Sequence, residues 1–133
     1  MRHYLAGLGI LIAAISSEAS GAGPAALEAG SVWKNQRGST MRITQLDQQT
    51  GAMSGNFVTA VGCGAGRERP LAGFFNQGAL VFAVTFQECG SATAWTGTLN
   101  PAGDQITTLW HLARGGEAKW DSIIAGADQF TRQ

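Results

Sequence analysis

The sequence predicts an all-β fold, an eight-stranded antiparallel up-and-down barrel. Glycine is the commonest residue, at 19 of 133, whereas proline numbers only 3 and charged residues make up only 14%. From residue 31 onward, short alternating or β-rich segments follow one another without a convincing helix. Turn-forming residues separate these segments by hairpin-sized distances. Eight strands are enough for a small antiparallel sheet to close and hide its edges, and a two-sheet sandwich is the alternative.

Each predicted strand alternates or is rich in β-forming residues, and turn signals separate the neighbours. In chain order the strands are Ser31–Asn35, Ser39–Gln45, Ala52–Ala60, Pro70–Phe75, Ala79–Phe86, Ser91–Leu99, Gln105–Ala113 and Lys119–Thr131. On the sixth strand, Ser91, Thr93 and Trp95 fall on one side. Other strands likewise combine aromatic residues with isolated hydroxyls or a carboxylate, which is typical of a ligand pocket. A single strand of this kind also fits ordinary core packing, so the pocket hypothesis depends on closure of the barrel.

Residues 1–22 have the layout of a secretory signal peptide. A short basic start precedes an uncharged apolar run, Leu5–Ile15, and small residues provide cleavage sites after Ala19 or Ala22. The apolar run is too short to span a bilayer as a helix. We therefore expect a secreted or periplasmic protein.

A single domain is expected after the signal segment, because so short a chain seldom forms two independent cores. It covers residues 31–132, and residues 23–30 precede it as a loose leader. Nine Lys and Arg balance nine Asp and Glu, so the chain lacks the basic excess of a nucleic-acid-binding protein. The mature part has a single histidine, no spare cysteine and no paired carboxylates within one motif, which argues against an enzyme.

The two cysteines, Cys63 and Cys89, both lie in the mature part of the chain. In an exported protein an even pair most simply forms one disulfide. Closing the loop between them contributes about 3 kcal/mol of stability by the chain-entropy estimate. A metal site would need more ligands than His111 alone supplies. We predict one disulfide and no metal site.

Four motifs carry a specific resemblance. Trp33–Met41 reads WKNQRGSTM and resembles the opening W-x-N-x-x-G-S segment of the avidin and streptavidin family. Ser91–Gly97 reads SATAWTG and resembles that family's S-A-T-x-W-[ST]-G strand. Thr107–Trp110, followed by Trp120 and Gly126–Thr131, is similar to its last two strands. The correspondence runs in order through essentially the whole mature domain.

The resemblance implies a barrel that binds biotin at its open end, without chemistry and without a cofactor. Asn35 and Ser39 would donate hydrogen bonds to the ureido oxygen, and Thr59 and Asp128 would accept from the two ureido N–H groups. Asp128 could also accept a structural hydrogen bond, for example from Asn35. The remaining implied contacts are Ser91 near the valeryl carboxylate, Thr93 at the thiophene sulfur, and Phe86, Trp95 and Trp110 as walls.

Two positions depart from the family pattern. Phe57 replaces a tyrosine whose hydroxyl would be a third donor to the ureido oxygen, and Phe86 replaces a tryptophan. Losing one hydrogen bond to a buried polar group costs about 1–3 kcal/mol. We therefore expect biotin to bind less tightly than in the family's best-known members. The alternative is a secreted barrel for another small ligand, which Phe57 and Phe86 would permit.

Two further alternatives fit the sequence less well. A structural or inhibitory barrel would have to bury Asp128 without a ligand, which is costly. An outer-membrane barrel would present a polar interior, whereas the sides described above are aromatic, so no membrane partner is expected.

The resemblance also bears on assembly. The cysteine pair is similar to that of the bacterial dimeric avidins, whereas Trp120 matches the residue that covers a neighbouring subunit's site in tetramers. We expect a homo-oligomer, with the tetramer favoured over the dimer.

Overall fold

The computed structural model describes residues 25–116 and 119–133. The expected signal peptide, residues 1–22, lies outside the described residues. Within them, no helix has both the length and the apolar character needed to cross a membrane.

Eight antiparallel strands form a closed barrel in chain order, which confirms the predicted fold. The sheet closes where the first strand pairs with the last, with Asn35 opposite Phe130. The strands are β1 (Val32–Asn35), β2 (Thr40–Leu46), β3 (Ala52–Val58), β4 (Glu68–Asn76), β5 (Ala79–Phe86), β6 (Ser91–Leu99), β7 (Gln105–Arg114) and β8 (Ile123–Arg132). A short 3₁₀ turn, Gln87–Cys89, connects β5 to β6.

The connection from β4 to β5 illustrates how the turns are made. Gln77 and Gly78 both have positive φ, at 49° and 94°. A two-residue turn with this backbone matches the right-handed twist of the flanking strands, and glycine adopts it without steric cost. The hairpin therefore follows directly from the glycine at this position.

The last strand begins later than the sequence predicted. Residues 119–122 form a turn in which the Ser122 N–H donates to the Lys119 carbonyl at 3.1 Å. The Ser122 hydroxyl accepts from the Lys119 N–H at 2.7 Å, so a side chain supplies the bond that a strand partner would otherwise provide. The prediction that β8 starts at Lys119 was therefore wrong by four residues, since the strand starts at Ile123.

The segment before β1 also differs from the expected loose leader. Leu27 is only 1% exposed and belongs to the hydrophobic core. The Gly30 N–H donates to the Ile43 carbonyl at 2.6 Å, which ties this segment to β2. A leucine that buries its side chain gains hydrophobic stabilisation, and this gain holds the chain against the barrel.

Strict alternation divides the strands into inner and outer faces. On β5, every second residue from Leu80 to Phe86 is buried, and the residues between them are exposed. The inner faces together form one core. Trp33 is buried in this core and donates its indole N–H to the Ser31 hydroxyl at 2.9 Å. Its indole therefore closes one end of the barrel.

An aromatic cluster separates the filled end from the cavity. The ring of Trp95 stacks on Phe82 with 4.8 Å between centroids and lies 5.0 Å from Phe57. Phe82 in turn makes an edge contact with Phe130 at 6.0 Å. Such offset and edge contacts restrict ring orientation beyond what burial alone requires. The cluster therefore holds Trp95 rigidly beneath the cavity.

Candidate ligand-binding site

One end of the barrel contains a cavity of about 320 Å³. This size falls within the range of small-molecule sites. All the predicted ligand-binding residues except Trp120 line it, namely Asn35, Ser39, Phe57, Thr59, Phe86, Ser91, Thr93, Trp95, Trp110 and Asp128. Closure of the barrel has thus brought the inner sides of separate strands to one place.

The β1–β2 turn fixes the orientation of the Asn35 amide. Its Oδ1 accepts hydrogen bonds from the backbone N–H groups of Arg37, at 3.0 Å, and Ser39, at 2.9 Å. Two N–H donors identify this atom as the oxygen, so the other end of the amide is the NH₂ group. Asn35 is buried at the cavity wall, and its Nδ2 is available there as a donor.

Two hydroxyls at the same end have opposite hydrogen-bonding roles. Ser39 Oγ accepts from the Ala60 N–H at 3.0 Å, which leaves its own proton free to donate. Thr59 Oγ1 donates its proton to the Val61 carbonyl at 2.8 Å and accepts from the Val61 N–H at 3.3 Å, so one lone pair remains to accept from a ligand. A hydroxyl has one proton and two lone pairs, and the backbone contacts decide which of these faces the cavity. Ser39 is therefore a donor to a ligand, and Thr59 is an acceptor.

Among the residues that the structure describes, Asp128 is the only carboxylate that lines the cavity, and it is 7% exposed. Its Oδ2 accepts from Trp95 Nε1 at 3.0 Å, and its Oδ1 accepts from Gln36 Nε2 at 2.9 Å. Arg37 Nε lies 4.0 Å from the same Oδ1. In the structure this carboxylate takes its hydrogen bonds from Gln36 and Trp95, and not from Asn35. An ionised carboxylate still has lone pairs for a ligand N–H.

Gln36 was missed by the sequence interpretation. Besides Asp128, its side chain bonds the backbone of β8 by accepting from the Gln129 N–H at 2.9 Å. It thereby ties the first hairpin to the last strand and orients the carboxylate. In the sequence, the position of Gln36 next to Asn35 is the feature that could have indicated this role.

The aromatic wall on β7 depends on a glycine of the neighbouring strand. Trp110 lies opposite Gly126, and a Cβ at Gly126 would stand 2.3 Å from the Trp110 ring. Atoms that close cannot coexist, so the glycine allows the indole to lie flat against β8. The cavity shape at this wall is therefore set by the absence of a side chain.

Replacing Gly126 with alanine is expected to displace the Trp110 ring and to cost about 1–3 kcal/mol of stability through overpacking. Denaturant unfolding and the tryptophan emission spectrum measure the two effects. Gly115→Ala is the matched control, because the nearest atom to its added Cβ lies at 3.5 Å. Equal unfolding midpoints for the two variants would contradict the steric argument.

The wall formed by Phe86 has a charged support that sequence reasoning missed. The Arg69 guanidinium carbon lies 4.9 Å from the Phe86 ring centroid, and its Nη2 forms an ion pair with Glu88. Arg69 is buried, since it shares the inner side of β4 with Leu71. Because residues two apart on a strand share a face, the spacing from Arg69 to Leu71 could have indicated that Arg69 points inward. A guanidinium stacked on an aromatic face gains cation–π attraction and holds the ring in place.

The predicted disulfide is confirmed, and it joins Cys63 to Cys89. It connects the segment after β3 to the turn after β5, and both cysteines line the cavity. The bond is thus part of the wall as well as a cross-link. In residues 25–116 and 119–133, no group of three or more His, Cys, Asp or Glu side chains could hold a metal ion.

Trp120 is the predicted site residue that this cavity does not include. Its side chain lies in the turn before β8 and is 96% exposed. The outward faces of β7 and β8 also carry exposed apolar side chains, Leu109 at 64% and Ile123 at 66%. His111, on the same outward side of β7, is also exposed.

Known proteins resemble this chain in sequence and in fold. A family model described as the avidin family matches residues 24–133. Afifavidin of Afifella pfennigii is 37% identical over 109 residues, which cover 76% of this chain and 67% of afifavidin. Core-bradavidin, known from a crystal structure, is 38% identical in sequence and superimposes with a TM-score of 0.72. The match covers 77% of this chain and 98% of the core-bradavidin chain. The bradavidin2–biotin complex is 34% identical with a TM-score of 0.71, covering 80% and 99% respectively. The chain therefore belongs to the avidin family.

Proposed function

We propose that this protein binds biotin in the cavity, without catalysis. The observation that carries the proposal is the division of the polar groups between donors and acceptors. Asn35 Nδ2 and the Ser39 hydroxyl can donate, whereas Thr59 Oγ1 and the Asp128 carboxylate can accept. A ureido group presents one carbonyl oxygen between two N–H groups and so requires this combination. Bradavidin2, a relative of similar fold, is known as a complex with biotin.

The apolar walls complete the proposed site. Phe57, Phe86, Trp95 and Trp110 line the cavity and would pack against the fused rings of biotin. We assign Thr93 to the thiophene sulfur and Ser91 to the region of the valeryl carboxylate, as the family resemblance implies. Aromatic stacking, the Gln36 contact and the disulfide form the site before a ligand arrives, which lowers the ordering cost of binding.

Isothermal titration of the oxidised protein with biotin tests the proposal. Lipoic acid is the control, because it has a sulfur-containing ring and an acidic tail but no ureido group. We expect saturable binding of one biotin per chain and an affinity for lipoic acid at least about 100-fold weaker. Equal affinity for the two compounds, or no binding of biotin, would favour the alternative of another small ligand.

A Cys63→Ser/Cys89→Ser variant is expected to lose about 3 kcal/mol of stability, because the disulfide closes a separation of 26 residues. Biotin affinity should fall as well, since both segments joined by the bond line the cavity. Denaturant unfolding and titration measure the two effects, and the wild-type protein under reducing agent is the matched comparison. An unchanged affinity would contradict the role of the bond in holding these segments at the cavity.

We further propose a homo-oligomer, with the tetramer favoured over the dimer, in which Trp120 covers the site of a neighbouring subunit. Exposed large apolar side chains are typical of protein interfaces, and Trp120, in the turn before β8, and Ile123, the first residue of β8, are of this kind. Biotin and further copies of the chain are the proposed partners.

Trp120→Ala is therefore expected to weaken biotin binding by about tenfold or more, because a buried tryptophan contact is lost at the ligand. Phe74→Ala is the control, since it also removes an exposed apolar side chain but from β4. Titration gives the affinity and light scattering gives the mass. A monomeric wild-type mass, or equal affinities for the two variants, would contradict the covering role.

We also propose that residues 1–22 direct export and are removed, and that the mature protein is secreted or periplasmic. The disulfide supports this proposal, because such bonds persist in oxidising compartments. Mass spectrometry of the exported protein would locate the cleavage site.

A further inference from the structure

Arg114 stands at the mouth of the cavity. It is the last residue of β7 and lies opposite Ser91 on β6. The inner side of β7 passes from Thr108, which is 1% exposed, to Arg114, whose side chain is 48% exposed. Arg114 nevertheless lines the same cavity as Asp128. The guanidinium is therefore placed where a bound ligand would meet solvent.

The guanidinium of Arg114 is oriented but keeps free donors. Its Nη1 donates to the Asp121 carbonyl at 3.1 Å and lies 3.9 Å from the Asp121 carboxylate. Within residues 25–116 and 119–133, its Nε and Nη2 groups have no hydrogen-bond acceptor. A guanidinium has five N–H donors in a planar fork, so one anchored amino group leaves the others for an incoming carboxylate.

The other cavity-lining arginine is placed differently. Arg37 Nε lies 4.0 Å from Asp128 Oδ1, and the Arg37 guanidinium lies 5.9 Å from the Trp110 ring centroid. Its charge therefore faces a carboxylate inside the cavity. Within the described part of the chain, Arg114 pairs only with Asp121, whose side chain is 43% exposed, so this pair lies in a solvated setting.

The spacing suits a ligand with a polar head and an extended tail. Thr108, opposite Asp128, marks the level of the head group, and Arg114 lies six residues farther along β7. At about 3.3 Å per residue and a strand tilt of about 40°, this is about 15 Å along the barrel axis. The long Arg114 side chain shortens the gap that a tail must cross.

We infer that Arg114 is a specificity-determining residue, which binds the terminal carboxylate of the ligand tail and makes the site prefer free biotin to its amide conjugates. This inference rests on the proposed function. A guanidinium–carboxylate hydrogen bond is charge-assisted, whereas an amide offers a neutral carbonyl and an NH₂ group that cannot accept. The preference arises from this difference at the tail, while the head-group contacts are the same for both ligands.

The test compares biotin with biotinamide, in which a carboxamide replaces the carboxylate. Titrations use the oxidised wild-type protein and the Arg114→Gln variant. Wild type is expected to bind biotin about tenfold more tightly than biotinamide, and Arg114→Gln is expected to reduce this ratio to about one. The biotinamide affinity should change little. Arg42→Gln, an exposed residue on β2, removes one positive charge away from the cavity and should keep the wild-type ratio.

The outcomes separate this inference from the proposed function. Equal binding of the two ligands by wild type, or a parallel loss of both in Arg114→Gln, would overturn the specificity role and leave biotin binding intact. A loss of the ratio in Arg42→Gln as well would also overturn it, since long-range charge would then explain the preference. Failure of wild type to bind either ligand would instead reject the proposed function.

Discussion

Replacing Asp128 with alanine is expected to weaken biotin binding by about 150-fold, which corresponds to about 3 kcal/mol. The proposed hydrogen bond from a ureido N–H to the carboxylate is lost. Trp95 Nε1, which donates to Asp128 Oδ2 at 3.0 Å, also loses its acceptor and with it the bond that orients the indole. Both losses fall on the buried part of the site, where water replaces the missing partner poorly.

Titration calorimetry measures this loss, and denaturant unfolding shows whether the barrel persists. Asp104→Ala is the matched control. It removes an exposed carboxylate from the hairpin between β6 and β7, where its Oδ1 accepts from Asn100 at 2.7 Å. That hairpin lies at the opposite end of the strands from Ser91 and Arg114. If the two variants retained similar affinities, Asp128 would not anchor the ligand.

Replacing Phe57 with tyrosine is expected to increase biotin affinity by about tenfold. Phe57 lines the cavity and packs 5.0 Å from Trp95. A hydroxyl on this ring would supply a third donor to the ureido oxygen, beside Asn35 and Ser39. The ureido oxygen gives up hydrogen bonds to water when biotin enters the cavity. A tyrosine hydroxyl would replace one of these bonds, and this replacement stabilises the complex.

Phe82→Tyr is the control for this substitution. Phe82 is as deeply buried as Phe57 and stacks on the same Trp95, but it does not line the cavity. Its added hydroxyl would be buried away from the ligand, so stability should fall and affinity should not rise. A weaker affinity in Phe57→Tyr than in wild type would mean that the ring points its edge away from the ureido oxygen.

The strand pattern explains why the fold could be predicted from the sequence. Alternation is a local property, so the inner sides of β5, β6 and β7 could be assigned before any pairing was known. Closure then follows from the number of strands. The disulfide was predictable because two cysteines in an exported chain have one simple pairing.

The hydrogen-bond partners could not be assigned in the same way. The Asn35 side-chain oxygen is held within its own turn by the backbone N–H groups of Arg37 and Ser39, a contact that strand alternation does not indicate. The contact from Gln36 to Asp128 joins residues that are far apart in the sequence. Such contacts depend on the seam between β1 and β8, which alternation does not describe.

Arg69 and Arg114 show a second reason why part of the site could not be predicted from the sequence. Both occupy inner positions where an alternating pattern favours apolar residues, and each is accommodated by a carboxylate that only the folded loops bring near. Arg114 was also excluded because the predicted seventh strand ended at Ala113, whereas β7 extends one residue further. A small error in a strand boundary was therefore enough to hide a cavity residue.

The closing seam of the barrel has a consequence for how a ligand leaves. β1 is four residues long and is joined to β8 through three residue pairs, so this is the shortest ladder together with that between β1 and β2. The proposed ureido contacts come from Asn35 and Ser39 on one side of the seam and Asp128 on the other. A ligand bound as proposed would therefore connect the first strand to the last. Opening of the seam would separate Asn35 and Ser39 from Asp128, so a bound ligand is expected to oppose it, and the site is complete only after the last strand has paired with the first.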